Sequence, residues 1–185
     1  MKSKVDLSTF DNSWYNPGSG AVVRALWFIV NACVFNSYLF PFSGLKVILL
    51  RLFGAKVGKG CVIKPKVNIK YPWKLTMGSN VWIGEEVWID NLDRVTLGNN
   101  VCISQGAFLL CGNHNYKKST FDLMVAPISI KDGAWVGAKS IVCPGVTLGN
   151  ESVLSVGAVA TKNLEARSIY AGNPAEYLRK RNVLD

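Results

Sequence analysis

The chain has 185 residues, of which 49% are hydrophobic and 18% are charged, and this composition excludes an intrinsically disordered protein. The length suits one compact domain. Twenty-one Lys and Arg against twelve Asp and Glu give a formal net charge of +9, which favours an anionic partner without identifying it as nucleic acid, membrane or phosphorylated cofactor.

The first segment, residues 1–54, is predicted to form an apolar cover on the main domain. Residues 25–45 contain no charged side chain and approach the length of a membrane-spanning helix. Pro41 would break such a helix. We therefore expect two amphipathic segments, at about 20–37 and 43–53, that cover one end of the domain.

Two observations bear on location. The five cysteines form no C-x-x-C pair and leave an odd count, which is typical of reduced thiols in the cytoplasm. The start of the chain lacks the apolar core of a cleavable signal peptide. A second interpretation of the apolar segment is peripheral contact with the inner membrane, in which Arg24, Lys46 and Arg51 would face lipid headgroups.

A six-residue repeat runs through the main domain, residues 55–164. An aliphatic residue recurs at every sixth position, with three insertions, at Val57, Ile63, Ile69, Met77, Ile83, Ile89, Leu97, Ile103, Leu109, Ile130, Val136, Val142, Leu148, Leu154 and Ala160. Short strands joined by sharp corners wind a three-sided coil in which these residues point inward and stack at the strand spacing of about 4.8 Å. Fifteen hexads predict an all-β domain of about five parallel coils.

The longest break in the repeat lies between Leu109 and Ile130 and predicts an inserted loop over residues 110–129. Excursions of this length in compact domains are often functional. The loop carries His114, the only histidine in the chain. A lone histidine is by default a structural or surface residue, but catalytic residues tend to lie where a loop leaves a rigid scaffold. We therefore predict that His114 is catalytic.

The last segment, residues 165–185, is predicted to be a tail with a short helix. Asn173 suits the N-cap position, Pro174 the first helical position and Glu176 the third. Three basic residues near the end would complement the helix dipole.

The repeat, the loop and several short motifs together resemble the hexapeptide-repeat acyltransferases, in particular the colanic-acid-biosynthesis acetyltransferases and more distantly the maltose and galactoside acetyltransferases. The motifs are Val5–Ser8, Leu49–Lys56, Tyr71–Lys74, Trp88–Leu92, Ser104–Gln105, Asp132–Ala138, Pro144–Gly149 and Ala171–Ala175. This resemblance implies a left-handed parallel β-helix and a homotrimer with active sites in clefts between coils. It also implies direct acetyl transfer from acetyl-CoA to a saccharide hydroxyl of an exopolysaccharide or O-antigen, without a covalent enzyme intermediate.

The resemblance also assigns residues. It implies that His114 is the general base, because an alcohol attacks a thioester readily only when a positioned group accepts its proton. It implies acceptor binding by Asp90, Asn115 and Tyr116, although relatives commonly have Asp where this chain has Asn115, which supplies no charge to orient the imidazole. The implied contacts with acetyl-CoA are Trp135, Ala138, Val156, Thr161, Lys162 and Arg179.

The sequence also bears on three other functions. A zinc hydrolase of the γ-carbonic-anhydrase kind needs three histidines, and one histidine per chain is too few, so we expect no metal. Nucleic-acid binding is not expected, since no helix or aromatic platform organises the basic residues. A non-catalytic, membrane-associated β-helix scaffold remains the alternative to an enzyme.

Overall fold

The structure is a computed structural model and describes residues 4–183, so the first three residues of the predicted segment 1–54 and the last two of 165–185 lie outside it. The described chain contains helices α1 (Ala21–Val30), which continues into a π-helical turn (Asn31–Phe35), and α2 (Ser43–Leu52). The strands are β1 (Lys56–Val57), β2 (Val62–Ile63), β3 (Asn68–Ile69), β4 (Leu75–Met77), β5 (Trp82–Ile83), β6 (Trp88–Asp90), β7 (Val95–Leu97), β8 (Cys102–Ile103), β9 (Phe108–Leu110), β10 (Gly112–His114), β11 (Leu123–Val125), β12 (Ile128–Ile130), β13 (Trp135–Val136), β14 (Ile141–Val142), β15 (Thr147–Leu148), β16 (Val153–Leu154), β17 (Val159–Ala160), β18 (Ser168–Ala171) and β19 (Glu176–Lys180).

The strands build three parallel sheets that form the three faces of a left-handed β-helix. The first face is β1-β4-β7-β12-β15, the second contains β2-β5-β8-β13-β16-β18, and the third is β3-β6-β9-β14-β17. These strands make five complete coils, and β18 adds part of a sixth. The predicted all-β fold and its number of coils are confirmed.

The register of the sheets places the predicted hexad residues on top of one another. On the first face Val57 pairs with Met77, and Met77 pairs with Leu97. On the other two faces each hexad residue likewise pairs with the hexad residue of the next coil. Of the fifteen positions only Val57, in the first coil, is more than 3% exposed. Gly78 follows one of these residues, and a Cβ there would lie 2.7 Å from the carbonyl of Gly98 in the next coil, so the coils stack this closely only because the position lacks a side chain.

The two helices pack on the first coil and close its end, as the sequence predicts. The Trp27 indole is buried and donates a hydrogen bond of 2.8 Å to the Ile69 carbonyl, while Leu50 of α2 is fully buried. Lys46 does not face outward as the membrane interpretation assumed. It is buried, and its Nζ donates a hydrogen bond of 2.8 Å to the Lys64 carbonyl.

None of the helices in residues 4–183 combines the length and hydropathy needed to cross a membrane.

The predicted C-terminal helix is wrong. Residues Glu176–Lys180 form strand β19, which pairs antiparallel with β18. The chain turns at Gly172, whose φ of +94° lies in the left-handed region that favours glycine. The capping pattern at Asn173 is a local signal, but the open edge of β18 offers unpaired backbone groups, and pairing them with β19 outweighs a short isolated helix.

Candidate active site

The predicted loop is a β-hairpin arm that carries His114 away from the coil. Strands β10 and β11 pair antiparallel, with His114 opposite Leu123. The arm leaves after β9, at the corner where the third face turns into the first. The Cys111 amide donates a hydrogen bond of 3.2 Å to the Asp90 carbonyl, which fixes the base of the arm to the preceding coil.

The orientation of the His114 imidazole is set by a backbone carbonyl. His114 Nδ1 lies 2.9 Å from the Phe121 carbonyl oxygen. Because a carbonyl oxygen only accepts hydrogen bonds, Nδ1 carries the proton and Nε2 of the neutral ring keeps its lone pair. The ring also stacks on Phe121, with centroids 4.4 Å apart and planes at 9°, and meets Phe10 at 5.7 Å. The half-buried imidazole is therefore held in one orientation through Nδ1, and no hydrogen bond from residues 4–183 engages Nε2.

The residues that follow His114 do not orient it. Asn115 Oδ1 accepts a hydrogen bond of 3.2 Å from the Lys117 amide and so stabilises the tip of the arm. The Tyr116 side chain is exposed and lies outside the lining of the His114 cavity. The Phe121 carbonyl, and not the residue after the histidine, therefore orients the imidazole.

His114 lines a cavity of about 490 Å³ between the arm, the N-terminal segment and the first two coils. This volume is within the usual range for small-molecule sites. The lining residues combine aromatic rings with polar and cationic groups and are Phe10, Asn12, Tyr15, Pro17, Arg24, Lys70, Tyr71, Leu92, His114 and Leu123.

Asp90 contributes to this site through Lys70. The Asp90 carboxylate is buried at the end of β6, and its Oδ1 lies 2.9 Å from Lys70 Nζ. Lys70, Asp90 and Leu110 each follow the inward residue of the third face in successive coils. The repeat therefore contains the signal that Lys70 and Asp90 are neighbours, although no motif marks Lys70 as a site residue.

Residues of the N-terminal segment, among them Phe10 and Tyr15, form one wall of the His114 cavity, which the sequence did not predict. The Tyr15 hydroxyl donates a hydrogen bond of 2.6 Å to the Leu92 carbonyl, and Lys74 Nζ donates to the same oxygen at 2.6 Å. Burial of the phenol raises the pKa of Tyr15 well above its usual range, so the hydroxyl remains a donor. No repeat or motif links Phe10 and Tyr15 to a histidine about a hundred residues away.

Four of the predicted acetyl-CoA contacts lie together on a different side of the β-helix. Trp135 is exposed on the second face and pairs with Val153, which pairs with Ile169, which pairs with Arg179. At the strand spacing Arg179 is about 14 Å from Trp135 along this face. The Gly157 amide donates a hydrogen bond of 2.9 Å to the Ala138 carbonyl, so Ala138 and Val156 share the next corner.

Thr161 and Lys162 are separated from that group. Both are exposed and follow β17, at the corner between the third and first faces. Within one chain the structure therefore does not bring the second-face residues beside His114.

The chemistry of the cysteines gives a first testable prediction. Cys111, at the base of the arm, is fully buried, and burial raises the pKa of its thiol to about 12. At pH 8 the Cys111 thiol is therefore protonated, whereas the thiolate is the form that reacts with alkylating agents. Cys33 is exposed on the π-helical turn.

We expect native protein at pH 8 to be alkylated first at Cys33 and last at Cys111. Peptide mass spectrometry after timed iodoacetamide exposure measures the order, with urea-unfolded protein as the control in which all five cysteines react. Early modification of Cys111 in folded protein would contradict the buried position.

Within residues 4–183, no group of three or more His, Cys, Asp or Glu side chains is arranged to hold a metal ion.

Similar solved structures define the class of fold. A hexapeptide-repeat-containing acetyltransferase from Vibrio cholerae superposes with a TM-score of 0.79 at 20% identity over 90% of this chain and 96% of that chain, and it was also solved in complex with acetyl coenzyme A. A galactoside acetyltransferase in complex with coenzyme A gives a TM-score of 0.76 at 24% identity over 87% of this chain and 82% of that chain. The chain thus has the hexapeptide-repeat β-helix fold.

Sequence similarity is more specific. The putative colanic acid biosynthesis acetyltransferase WcaF of Escherichia coli is 38% identical over 176 residues, which are 95% of this chain and 97% of that protein. The galactoside O-acetyltransferase of Escherichia coli is 29% identical over 140 residues, 74% of this chain and 69% of that protein. No protein-family model matches the chain. The chain belongs to the hexapeptide-repeat acetyltransferases, among those of the colanic-acid-biosynthesis type.

Proposed function

We propose that this protein transfers an acetyl group from acetyl-CoA directly to a saccharide hydroxyl, with His114 as the general base. The observation that carries the proposal is the imidazole held through Nδ1 by the Phe121 carbonyl, 2.9 Å away, in the wall of a cavity of about 490 Å³. The full-length similarity to a colanic acid biosynthesis acetyltransferase supports a saccharide of an exopolysaccharide or O-antigen as acceptor.

The proposed reaction has one acyl-transfer step. His114 Nε2 accepts the hydroxyl proton while the hydroxyl oxygen attacks the thioester carbonyl carbon. The carbon–sulfur bond then breaks, and the imidazolium returns the proton to the departing sulfur. Backbone N–H groups along an adjacent coil are suited to stabilise the intermediate oxyanion. The products are an acetyl ester and the free thiol of CoA.

The lining of the cavity suits a sugar. The rings of Phe10, Tyr15 and Tyr71 offer flat apolar surfaces for the C–H faces of a pyranose, while Asn12 and Lys70 offer hydrogen bonds to its hydroxyls. Asp90 acts through its ion pair with Lys70 and so positions that donor.

The donor is proposed to bind along the second face, so a complete site needs a second copy of the chain, and we propose a homotrimer. The proposed donor strip consists of Trp135, which is exposed on that face, and of Val156 and the half-buried Ala138 at the adjacent corner. Arg179 provides a cation farther along the face for a CoA phosphate. His114 leaves the coil at another corner. A second copy that sets its second face against the arm would complete the site, as in closed rings of like subunits.

We also propose a cytoplasmic location, which is supported by the five cysteines being free in the structure.

A mixing experiment tests the shared site together with the activity. Purified protein is incubated with acetyl-CoA and a panel of acidic and neutral oligosaccharides, and thiol release and a gain of one acetyl group in the product are measured. His114→Ala and Trp135→Ala are each expected to be impaired. The two variants are then mixed in equal amounts, dissociated and reassembled. In about a quarter of the interfaces, one subunit supplies an intact His114 and its neighbour an intact Trp135, so about a quarter of the wild-type activity should return.

Wild-type protein treated in the same way is the control. Thiol release without saccharide acetylation would contradict the proposed acceptor, and a mixture no more active than its parents would contradict the shared site. Absence of acetyl transfer to every saccharide would favour the alternative of a non-catalytic β-helix scaffold.

A further inference from the structure

An exposed apolar surface covers the outer side of the N-terminal helices. Helix α1 is apolar on all sides except at Arg24, yet only Trp27 in it is buried. We define the apolar cap face by its exposed members, Val22, Leu26, Phe28, Ile29, Leu39, Phe42, Ile48 and Leu52, of which Phe28, Leu39 and Leu52 are 73%, 82% and 75% exposed. Eight exposed apolar side chains on two helices and the segment between them exceed the scattered single residues of an ordinary surface, and such concentrations mark interaction sites.

The net charge of the protein is concentrated in the same region. Residues 12–84 contain nine Lys and Arg and no Asp or Glu, whereas the other twelve Lys and Arg are balanced by the twelve Asp and Glu. The whole formal charge of +9 therefore lies in the N-terminal cover and the first coil and a half.

Several of these cations lie on the same two helices or on the first coil that the helices cover, and we call Arg24, Arg51, Lys59, Lys64 and Lys66 the rim. Arg51 at the end of α2 donates hydrogen bonds of 2.8 and 2.9 Å to the Val57 and Gly58 carbonyls, and so stays at the rim. Lys66 Nζ lies 5.4 Å from the centre of the Tyr38 ring. Arg24, Lys59 and Lys64 are exposed on α1 and in the first coil.

We propose that the apolar cap face and its rim of cations dock the protein on the surface of a bilayer that contains anionic phospholipid. Apolar side chains enter the boundary between headgroups and acyl chains, while Lys and Arg remain with the phosphates, which is how amphipathic helices lie on membranes. This inference goes beyond the proposed function and does not depend on it.

Charge favours a bilayer over a second copy of the chain. Two apolar cap faces brought together would oppose two rims of the same sign, because the nine cations of residues 12–84 outnumber the nearby Glu86, whose Oε1 lies 3.3 Å from the Tyr38 hydroxyl oxygen. Nucleic acid would satisfy the cations, but the exposed Phe28, Leu39 and Phe42 would gain little from a phosphate backbone.

The docking surface borders the candidate acceptor site. A second cavity, of about 450 Å³, lies between α1 and the first two coils and is lined by Phe28 and Trp88 among others. Arg24, Lys70 and Tyr71 line both this cavity and the one that contains His114. Docking would thus place the candidate acceptor site beside the lipid surface.

Vesicle flotation of the full chain tests the proposal. We expect binding to vesicles of phosphatidylcholine with one-third phosphatidylglycerol to be at least about tenfold tighter than to phosphatidylcholine alone, and to weaken with salt. The triple variant Phe28→Ser, Leu39→Ser, Phe42→Ser should lose about tenfold or more, as should Lys59→Glu with Lys64→Glu. The matched controls, Leu178→Ser with Val183→Ser and Lys117→Glu with Lys131→Glu, change exposed side chains elsewhere and should bind as wild type.

A second measurement leaves the surface unmutated. A polarity-sensitive fluorophore attached to the exposed Cys33 should shift to the blue when anionic vesicles are added. No binding of wild-type protein, equal binding to neutral vesicles, or equal losses in the control variants would overturn the proposal. So would a triple variant whose oligomeric state changes without loss of lipid binding, because a second copy would then cover the face.

Discussion

Replacing His114 with Ala should lower kcat for acetyl transfer by about a hundredfold to ten-thousandfold, the usual contribution of a positioned general base. The protein should still fold, because the side chain is half-buried and projects from a hairpin arm and not from the coil. The KM for acetyl-CoA should change little, since the proposed donor strip lies on the second face. Steady-state kinetics of thiol release, with circular dichroism as the check on folding, measure these effects.

Two further variants distinguish the effect of the His114 imidazole from the effect of its neighbours in the arm. Tyr116→Phe alters an exposed neighbour in the same arm and should leave kcat unchanged. Phe121→Ala removes the ring that stacks on His114 but keeps the carbonyl that accepts from Nδ1, so its loss should be smaller than that of His114→Ala. A His114→Ala enzyme that retains wild-type kcat would show that the base lies elsewhere.

A substitution in the middle of the coil should have the largest effect on stability. Ile103 is fully buried on the second face, and its neighbours in register are Ile83 and Val136. Ile103→Ala removes three carbons from a narrow stack that has little room to collapse, so the free energy of unfolding should fall by about 2–5 kcal/mol. Denaturant unfolding followed by circular dichroism measures the change.

Ile48→Ala is the matched control because it makes the same chemical change at a position that is 55% exposed on α2. It should change the free energy of unfolding by less than about 0.5 kcal/mol in the absence of lipid. Equal losses in the two variants would contradict the assignment of Ile103 to the stacked core.

The six-residue repeat shows how much of the fold a local sequence pattern can predict. In a parallel coil with a fixed number of residues per turn, position along the chain determines both the face and the direction of a side chain. For that reason the hexad spacing predicted the inward residues of all five coils, and the same register placed Lys70 next to Asp90. Short helices in the N-terminal segment were also predictable, because Pro41 and the polar residues around it divide the apolar run.

The C-terminal segment, predicted as a helix but observed as strand β19, shows that a local sequence pattern does not predict pairing with a distant strand. The cap residues Asn173 and Pro174 indicate a helix start wherever they occur, whereas the edge of β18 exists only after six strands of the second face have stacked. The burial of Lys46 has the same origin, since its partner, the Lys64 carbonyl, lies eighteen residues away on a coil that α2 happens to cover.

The sequence by itself determined the three-sided coil, the family of acetyltransferases to which the chain belongs and the segment that leaves the scaffold with its one histidine. Only the tertiary structure decided how that histidine is held and what surrounds it: the Phe121 carbonyl faces Nδ1, and Phe10 and Tyr15 close the cavity from the other end of the chain. The physical reason is that a periodic backbone repeats its geometry from turn to turn, whereas a hairpin arm and an N-terminal segment meet through contacts that no periodicity encodes.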